Sequence, residues 1–184
     1  MAAVQWEIRR HQVAVAGRVV DAQTGKPLSD VLVTIATGAI RAETRTGGDG
    51  HFHFLDLPDG TYPVAATLPA EGSRHGTAQV NAVVSRDGTG RIQMATADLA
   101  LPATTVRGRV ARANNQPVVM AEIVLEGSGE QAFSGADGRY TLVGVEVGAR
   151  TARVRAQGFQ TAVQVVTIAS AGTVATLNVT LTPA

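Results

Sequence analysis

One short motif occurs twice in the chain and constrains its fold more than any other feature. Residues 49–62 read DGHFHFLDLPDGTY, and residues 137–148 read DGRYTLVGVEVG. Each copy begins with Asp-Gly, continues with apolar residues at alternate positions, and has a second glycine ten residues after the first. Glycine tolerates the positive φ of tight turns, and alternation is typical of a half-buried strand. The motif therefore predicts a turn, a short strand, a second turn and another strand.

The repetition indicates two domains within the 184 residues, each of a size common for a β-sandwich. We predict an N-terminal arm at 1–12, a first sandwich at 13–101 and a second at 102–184, with 102–104 as the linker. Each sandwich is expected to contain about seven strands. No segment keeps a 3.6-residue apolar period over three turns, so no helix is predicted. Residues 36–46 are expected to cross over between strands.

The composition indicates which kinds of partner and which cellular compartments are compatible with the chain. Apolar residues make up 45% of the chain and aromatic residues 4%, so Val, Ile, Leu and Ala must fill the cores. The net charge of +1 predicts no nucleic-acid partner. The chain has no cysteine, which excludes disulfides and thiolate metal sites. The N-terminal residues lack the apolar run of a signal peptide, and no run is long enough for a membrane span. A cytoplasmic or particle-associated protein is therefore favoured over a secreted one.

The N-terminal arm has strand periodicity of its own. Val4, Trp6 and Ile8 alternate with polar residues and would form one apolar face. Such an arm can pack on its own first domain, or it can dock on another subunit by adding a strand to an exposed sheet edge. Tryptophan is enriched at the energetic centres of interfaces. Val4, Trp6 and Ile8 are therefore candidate partner-binding residues, and self-association through the arm is one hypothesis.

Further residues extend the similarity between the two copies. The first copy has Gly-Arg-Val at 17–19 and Gly-Lys-Pro at 25–27, and the second has Gly-Arg-Val at 108–110 and Ala-Gln-Gly-Phe at 156–159. Together with the repeated motif, this pattern resembles the carboxypeptidase regulatory-like domain over about 13–184. The second copy departs from it, because no Leu-Pro precedes Gly148 and no Tyr follows it.

The resemblance implies a fold and a class of function. It implies two tandem Greek-key β-sandwiches, of the transthyretin-like and Ig-like type, in an all-β chain. It also implies an accessory, non-catalytic role, because modules of this family are attached to very different proteins.

Within the motif, the apolar positions are expected to be structural. Phe52 corresponds to Tyr140 and Phe54 to Leu142, so each pair should face a sandwich core. Gly60 and Gly148 should lie where the chain turns back.

The sequence offers no convincing catalytic or metal-binding constellation. His51 and His53 share a strand face, but the second copy has Arg139 and Thr141 there, so a solvent face is favoured over a metal site. The Asp-Gly pairs fit turns and do not match the spacing of a calcium loop. No histidine follows His75, so the second half lacks a histidine base. We predict that the protein is not an enzyme and has no cofactor or metal.

Four arginines are candidate partner-binding residues. Arg107 and Arg109 share one strand face, and Arg153 and Arg155 share another. If the two strands are neighbours, the four guanidinium groups form one basic patch. Separate solvated strand faces are the simpler alternative.

The leading hypothesis is a non-catalytic structural or protein–protein interaction protein that forms part of a larger assembly. A phage-like or contractile-injection particle is one such setting, by analogy with other small β-sandwich subunits. The alternative is an accessory module that binds carbohydrate or a cell surface. That role needs exposed aromatic rings to stack on sugars, and the chain has few aromatic residues.

Overall fold

A computed structural model describes residues 11–184, and the chain there consists almost wholly of β-strands. The first repeat contains β1 (Val13–Asp21), β2 (Leu32–Thr37), β3 (Ile40–Arg45), β4 (His51–Leu55), β5 (Gly60–Thr67), β6 (Ala78–Arg86), β7 (Ile92–Gln93), β8 (Ala95–Thr96) and β9 (Leu99–Leu101). The second contains β10 (Thr105–Arg112), β11 (Glu122–Glu126), β12 (Gln131–Phe133), β13 (Arg139–Val143), β14 (Gly148–Arg155), β15 (Ala162–Ile168), β16 (Val174–Thr176) and β17 (Val179–Leu181). A single 3-10 turn, Pro69–Glu71, separates β5 from β6. The predicted arm strand with Val4, Trp6 and Ile8 lies outside the described residues.

Each repeat forms two sheets with the same connectivity. In the first repeat β1 pairs antiparallel with β4 and parallel with β8, while the other sheet has the order β3-β2-β5-β6-β7. In the second, β10 pairs antiparallel with β13 and parallel with β16 and β17, opposite a sheet of order β12-β11-β14-β15. The first strand of each repeat thus pairs with strands at its end, and hairpins join most of the others. The all-β, two-sandwich prediction is confirmed.

Contacts within the chain divide it into two compact units that do not follow the repeats residue by residue. The first unit contains residues up to Val19, Pro27–Ala66 and Gln79–Leu99. The second unit contains Val20–Lys26, Thr67–Ala78 and Ala100–Ala184. Two segments of the first repeat therefore belong to the second unit. The sequence-based domain boundaries remain a prediction.

The cores follow the predicted alternation. Phe52 and Phe54 on β4 are buried, and so are Tyr140 and Leu142 on β13. Both sheets of the second sandwich contribute to a single core, whose fully buried members include Val106, Val110, Ile123, Leu125, Ala152 and Val154. Burying a side chain of this size contributes about 1.5–3 kcal/mol, so this core supplies the main driving force for folding.

The glycine of each Gly-Arg-Val segment lies under an aromatic ring. Gly17 is directly opposite Phe52, and Gly108 is directly opposite Tyr140. A Cβ at Gly17 would lie 2.1 Å from the carbonyl oxygen of Ala97, and one at Gly108 would lie 1.7 Å from that of Leu177. The Tyr140 hydroxyl donates a hydrogen bond of 2.6 Å to the Leu177 carbonyl, and burial raises the pKa of this phenol. Both positions require glycine because the connection from β8 to β9, or from β16 to β17, passes directly over them.

The expected crossover at 36–46 is wrong. Residues Ile40–Arg45 form β3, which pairs antiparallel with β2 from Leu32↔Arg45 to Thr37↔Ile40. Every residue of β3 is half-buried or exposed, so its sequence IRAETR carries little of the apolar alternation that marks a strand. A hairpin turn at Gly38, with φ of 55°, makes the pairing possible.

Candidate interaction surfaces

The four candidate arginines do not form one patch. Arg107 and Arg109 lie on β10, in the sheet with β13 and β16, whereas Arg153 and Arg155 lie on β14, in the sheet with β11 and β15. The condition that β10 and β14 be neighbouring strands is therefore not met. Each arginine pair must be considered with the charges around it.

The β14 arginines face carboxylates. Arg153 forms an ion pair with Glu126, and Arg155 is directly opposite Glu122 in the β11–β14 register. The same four charged residues and Val124 line a depression of about 270 Å³. Two positive and two negative charges balance there, so this face has little net attraction for a charged partner.

On β10, the guanidinium of Arg109 donates hydrogen bonds only to neutral oxygens of the described chain, so its positive charge is not neutralised. Its Nε donates to the Asp137 carbonyl at 2.9 Å, Nη1 to Asn115 Oδ1 at 2.9 Å, and Nη2 to the Asn115 carbonyl at 3.1 Å. Arg18 makes the equivalent Nε bond, 3.0 Å long, to the Asp49 carbonyl. The acceptors of Arg109 are neutral, so they fix the guanidinium in place without neutralising it.

Two further arginines complete the basic surface around β10. Arg107, Arg109 and Arg139 line an open depression of about 600 Å³ together with Gly108, Tyr140, Thr141, Thr176 and Asn178. Arg139 lies 3.4 Å from Asp137, and both side chains are largely exposed. Within residues 11–184, no carboxylate pairs with Arg107. Strand spacing predicts Arg107 and Arg109 as partner-binding residues, but Arg139 and Asn178 join them only through the pairing of β10 with other strands.

The edge of the β14 sheet is a second exposed surface. Strand β15 reads AVQVVTI and is the last strand in the order β12-β11-β14-β15. Val163 and Val165 point outward and are 58% and 65% exposed. Natural edge strands are usually protected by charges, prolines or bulges, and β15 has neither a charged residue nor a proline. It presents a neutral backbone edge beside apolar side chains.

Comparison with known sequences decides the family. The sequence model of the carboxypeptidase regulatory-like domain matches residues 14–97 and again 105–182, which together span most of the chain. The chain belongs to the carboxypeptidase regulatory-like domain family. Both matches begin at the first strand of a sandwich and end at or near its last, so this family's two tandem domains coincide with the repeats found in the sequence.

Several solved structures are similar to this chain at low sequence identity. The Bacillus anthracis TIE protein is 13% identical, with a TM-score of 0.43, over 93% of this chain and 34% of its own length. A streptococcal ancillary pilin is 17% identical with a TM-score of 0.41, over 95% and 63%. The shaft pilin SpaA from Lactobacillus rhamnosus GG is 11% identical with a TM-score of 0.41, over 95% and 98%. The chain thus spans about a third of the TIE protein and less than two thirds of the ancillary pilin. No curated protein matches the sequence.

The second unit also contains a buried hydrogen-bonded contact between His75 and Asp21, outside the motifs that define the family. His75 Nε2 lies 2.9 Å from Asp21 Oδ2, and His75 Nδ1 lies 3.0 Å from Glu71 Oε2. The side chains of His75 and Asp21 are 9% and 7% exposed. Asp21 also accepts backbone hydrogen bonds from Gln23 and Thr24. Burial alone would raise the pKa of Asp21, but the hydrogen bonds from His75 and Thr24 outweigh it and lower that pKa below its ordinary value.

We expect Asp21 to stabilise the folded state more at neutral pH than in acid. A carboxyl whose pKa is lowered by folding stabilises the folded state above its ordinary pKa, near 3.8, and loses that contribution as the pH falls through the folded-state value. Urea unfolding of the wild type and Asp21→Asn between pH 6 and pH 2.5 measures this. The difference in unfolding free energy should shrink as the pH falls. A constant difference over that range would contradict the prediction.

The two histidines that the sequence offered as possible metal ligands lie on β4. His51 and His53 project from the outer face of β4, and His51 lies 3.0 Å from Asp49. Among residues 11–184 no three His, Asp or Glu side chains are grouped closely enough to share a metal ion. Nor does that part of the chain contain a helix long and apolar enough to cross a membrane.

Proposed function

We propose that this chain is a non-catalytic interaction protein that joins protein partners within a larger assembly, with β15 as its docking strand. The observation that carries the proposal is that, among residues 11–184, β14 alone pairs with β15, which leaves the other edge of β15 without a strand. A partner segment that adds to this edge gains main-chain hydrogen bonds, and pockets for alternate side chains give it specificity. Membership of a family of accessory domains supports the non-catalytic part of the proposal.

The side chains of β15 indicate which kind of segment would bind. Val163 and Val165 are two residues apart and project from the same sheet face, directly opposite Arg153 and Thr151. An added strand with apolar residues at alternate positions would cover both valines. Residues 4–8 of a second copy have this pattern in Val4, Trp6 and Ile8. Self-association through the arm is therefore the form of the proposal to test first.

Light scattering tests it with a matched pair of variants. The full chain is expected to form dimers or larger species, and the chain lacking residues 1–10 is expected to be monomeric. Val165→Lys should weaken self-association about tenfold or more, because it places a charge against the added strand. Val83→Lys is the control for the added charge, since Val83 is similarly exposed, at 64%, but lies on β6 in the first repeat.

Two results would reject parts of this proposal. A monomeric full chain at high micromolar concentration rejects self-association through the arm. A mass unchanged by Val165→Lys, but lowered by deletion of the arm, rejects β15 as the docking strand. Circular dichroism of each variant establishes that the sandwiches remain folded.

The kind of assembly to which the protein belongs is also a proposal. A phage-like or contractile-injection particle is the kind of assembly in which small β-sandwich subunits join or decorate larger components. The alternative, a carbohydrate- or surface-binding module, has one structural feature in its favour. Phe133 on β12 is 49% exposed, and within residues 11–184 it is the one aromatic residue among the exposed large apolar side chains. A single ring is a small platform for a sugar chain, so the protein-partner proposal is preferred.

A further inference from the structure

The two repeats build the same framework around their Gly-Arg-Val segments. Arg109 and Arg18 both donate Nε to the carbonyl of an Asp-Gly turn. Their backbone N–H groups are also capped alike: Arg109 N donates to Asn178 Oδ1 at 3.0 Å, and Arg18 N donates to Asp98 Oδ1 at 2.9 Å. Each repeat is therefore an internal reference for the other.

Charge differs between these otherwise matching surfaces. The second repeat has Arg107 where the first has Ala16, Arg139 where the first has His51, and Asn178 where the first has Asp98. We call the surface formed by Arg107, Arg109, Arg139, Thr141, Thr176 and Asn178 the β10 face. With Asp137 included it carries three arginines against one aspartate, whereas its counterpart carries Arg18 against Asp49 and Asp98. All three substitutions make the second repeat more positive or less negative.

The arrangement of the arginines adds a reason to expect an anion. Arg109 and Arg139 are directly opposite each other in the antiparallel β10–β13 pair. Like charges in directly opposed positions destabilise a sheet. Asp137 offsets this only weakly, because its 3.4 Å contact with Arg139 is exposed to solvent. A negatively charged group between the two guanidiniums would relieve the repulsion.

We propose that the β10 face binds an extended acidic segment of a partner protein, with carboxylates at alternate positions. Arg107 and Arg109 are two residues apart on one strand, so their side chains emerge about 7 Å apart. Carboxylates on alternate residues of an extended segment have the same spacing. One can therefore pair with Arg107 through two hydrogen bonds, while the next lies beside the positive charge of Arg109, whose Nε, Nη1 and Nη2 already donate within the chain. Thr141, Thr176 and Asn178 add neutral polar groups to the same depression.

The lining of the β10 face favours a peptide over a sugar chain or a nucleic acid. Tyr140 is the one aromatic residue that lines the depression, and it is only 4% exposed. Its hydroxyl donates to the Leu177 carbonyl. Sugars and bases are bound largely by stacking on exposed aromatic rings. This surface has charges and small polar groups instead, which suit carboxylates and a peptide backbone.

Fluorescence anisotropy with synthetic peptides tests the proposal on the full chain. The probe is an eight-residue peptide that alternates Glu and Thr, and the comparison peptide has the same composition with its four Glu consecutive. We expect the alternating peptide to bind more tightly, and binding to weaken steeply between about 20 and 300 mM salt because the charges are exposed. Arg107→Ala should weaken binding up to about fivefold, the range for one exposed ion pair.

Asn178→Asp is the sharpest variant, because aspartate keeps the oxygen that accepts from Arg109 N and adds the charge that the first repeat has. It should weaken peptide binding about fivefold or more. Asp98→Asn, the reverse change in the first repeat, should leave the affinity unchanged and serves as the matched control. Val165→Lys should also leave it unchanged, which separates this proposal from the one for β15.

Three outcomes would overturn the proposal. Absence of peptide binding at low salt would do so, as would equal binding of the two peptides with no effect of Asn178→Asp. Binding of a sulfated polysaccharide that is lost in Asn178→Asp, without binding of either peptide, would assign the face to a glycan instead.

Discussion

Gly108→Ala is expected to destabilise the second sandwich by about 3 kcal/mol or more. The added methyl group would lie 1.7 Å from the carbonyl oxygen of Leu177 and 3.1 Å from the Tyr140 hydroxyl. Both neighbours are constrained, because that hydroxyl donates to that carbonyl and the Leu177 N–H donates to the Arg107 carbonyl. The strand cannot move away without breaking these bonds. Urea unfolding followed by circular dichroism measures the loss.

Gly135→Ala provides the control within the same repeat. The nearest atom to a Cβ at that position is an Asp137 carboxylate oxygen at 3.5 Å, an ordinary contact distance. Its cost should therefore stay below about 1 kcal/mol. Equal stability of the Gly108 and Gly135 variants would show that the connection between β16 and β17 moves easily. That result would contradict the packing described for the aromatic ring.

Thr104→Val is expected to cost about 2–4 kcal/mol in unfolding free energy. The Thr104 hydroxyl donates to the Ser73 carbonyl at 2.6 Å and accepts from the Gly172 N–H at 2.7 Å. Thr104 is fully buried, so valine would fill the same space and leave both backbone groups unpaired. Ser73 and Gly172 are half-buried, so each unpaired backbone group should cost about 1–2 kcal/mol, the lower part of the range for buried groups.

Thr104→Ser separates the loss of these bonds from the loss of shape. Serine retains the hydroxyl and removes one methyl group, so its cost should be about 1 kcal/mol. Thermal unfolding of both variants beside the wild type provides an independent measurement. If valine were tolerated as well as serine, the two hydrogen bonds would contribute nothing to stability.

The sequence predicted well what depends on local alternation. The positions of β4 and β13 follow from apolar residues at every second position. The core roles of Phe52 and Tyr140 follow from aligning the two motifs. These features could be predicted because the pattern of apolar residues within each strand indicates which of its faces is buried.

Features that depend on distant pairing could not be predicted in this way. The peptide at 102–104 was expected to be a simple linker, yet Thr104 accepts from the N–H groups of Gly144 and Val145 through its carbonyl oxygen. The sequence of β15 indicates a strand, but its place at the edge of a sheet depends on which other strands pair. For the same reason, the four arginines could not be assigned to sheets from their spacing alone.

The charge of the β10 face is partly visible in the sequence. Comparison of the copies shows Arg139 in place of His51, which argues against a metal site and also adds a positive charge. Comparing the strands that close each sandwich would also have paired Asn178 with Asp98. The change of charge at several matched positions is visible in the sequence, but their closeness in space is not.

The parallel pairing of β1 with β8, and of β10 with β17, has a consequence during protein synthesis. Strand β1 emerges from the ribosome first, but β8 is made about 80 residues later, or about 4–16 s at 5–20 residues per second. Until then the backbone N–H and C=O groups along that edge of β1 lack the strand that pairs with them. The second sandwich waits in the same way for β17. Each domain should therefore acquire its fold late in its own translation, and ribosome-bound chains that stop before residue 174 should be substrates for chaperones.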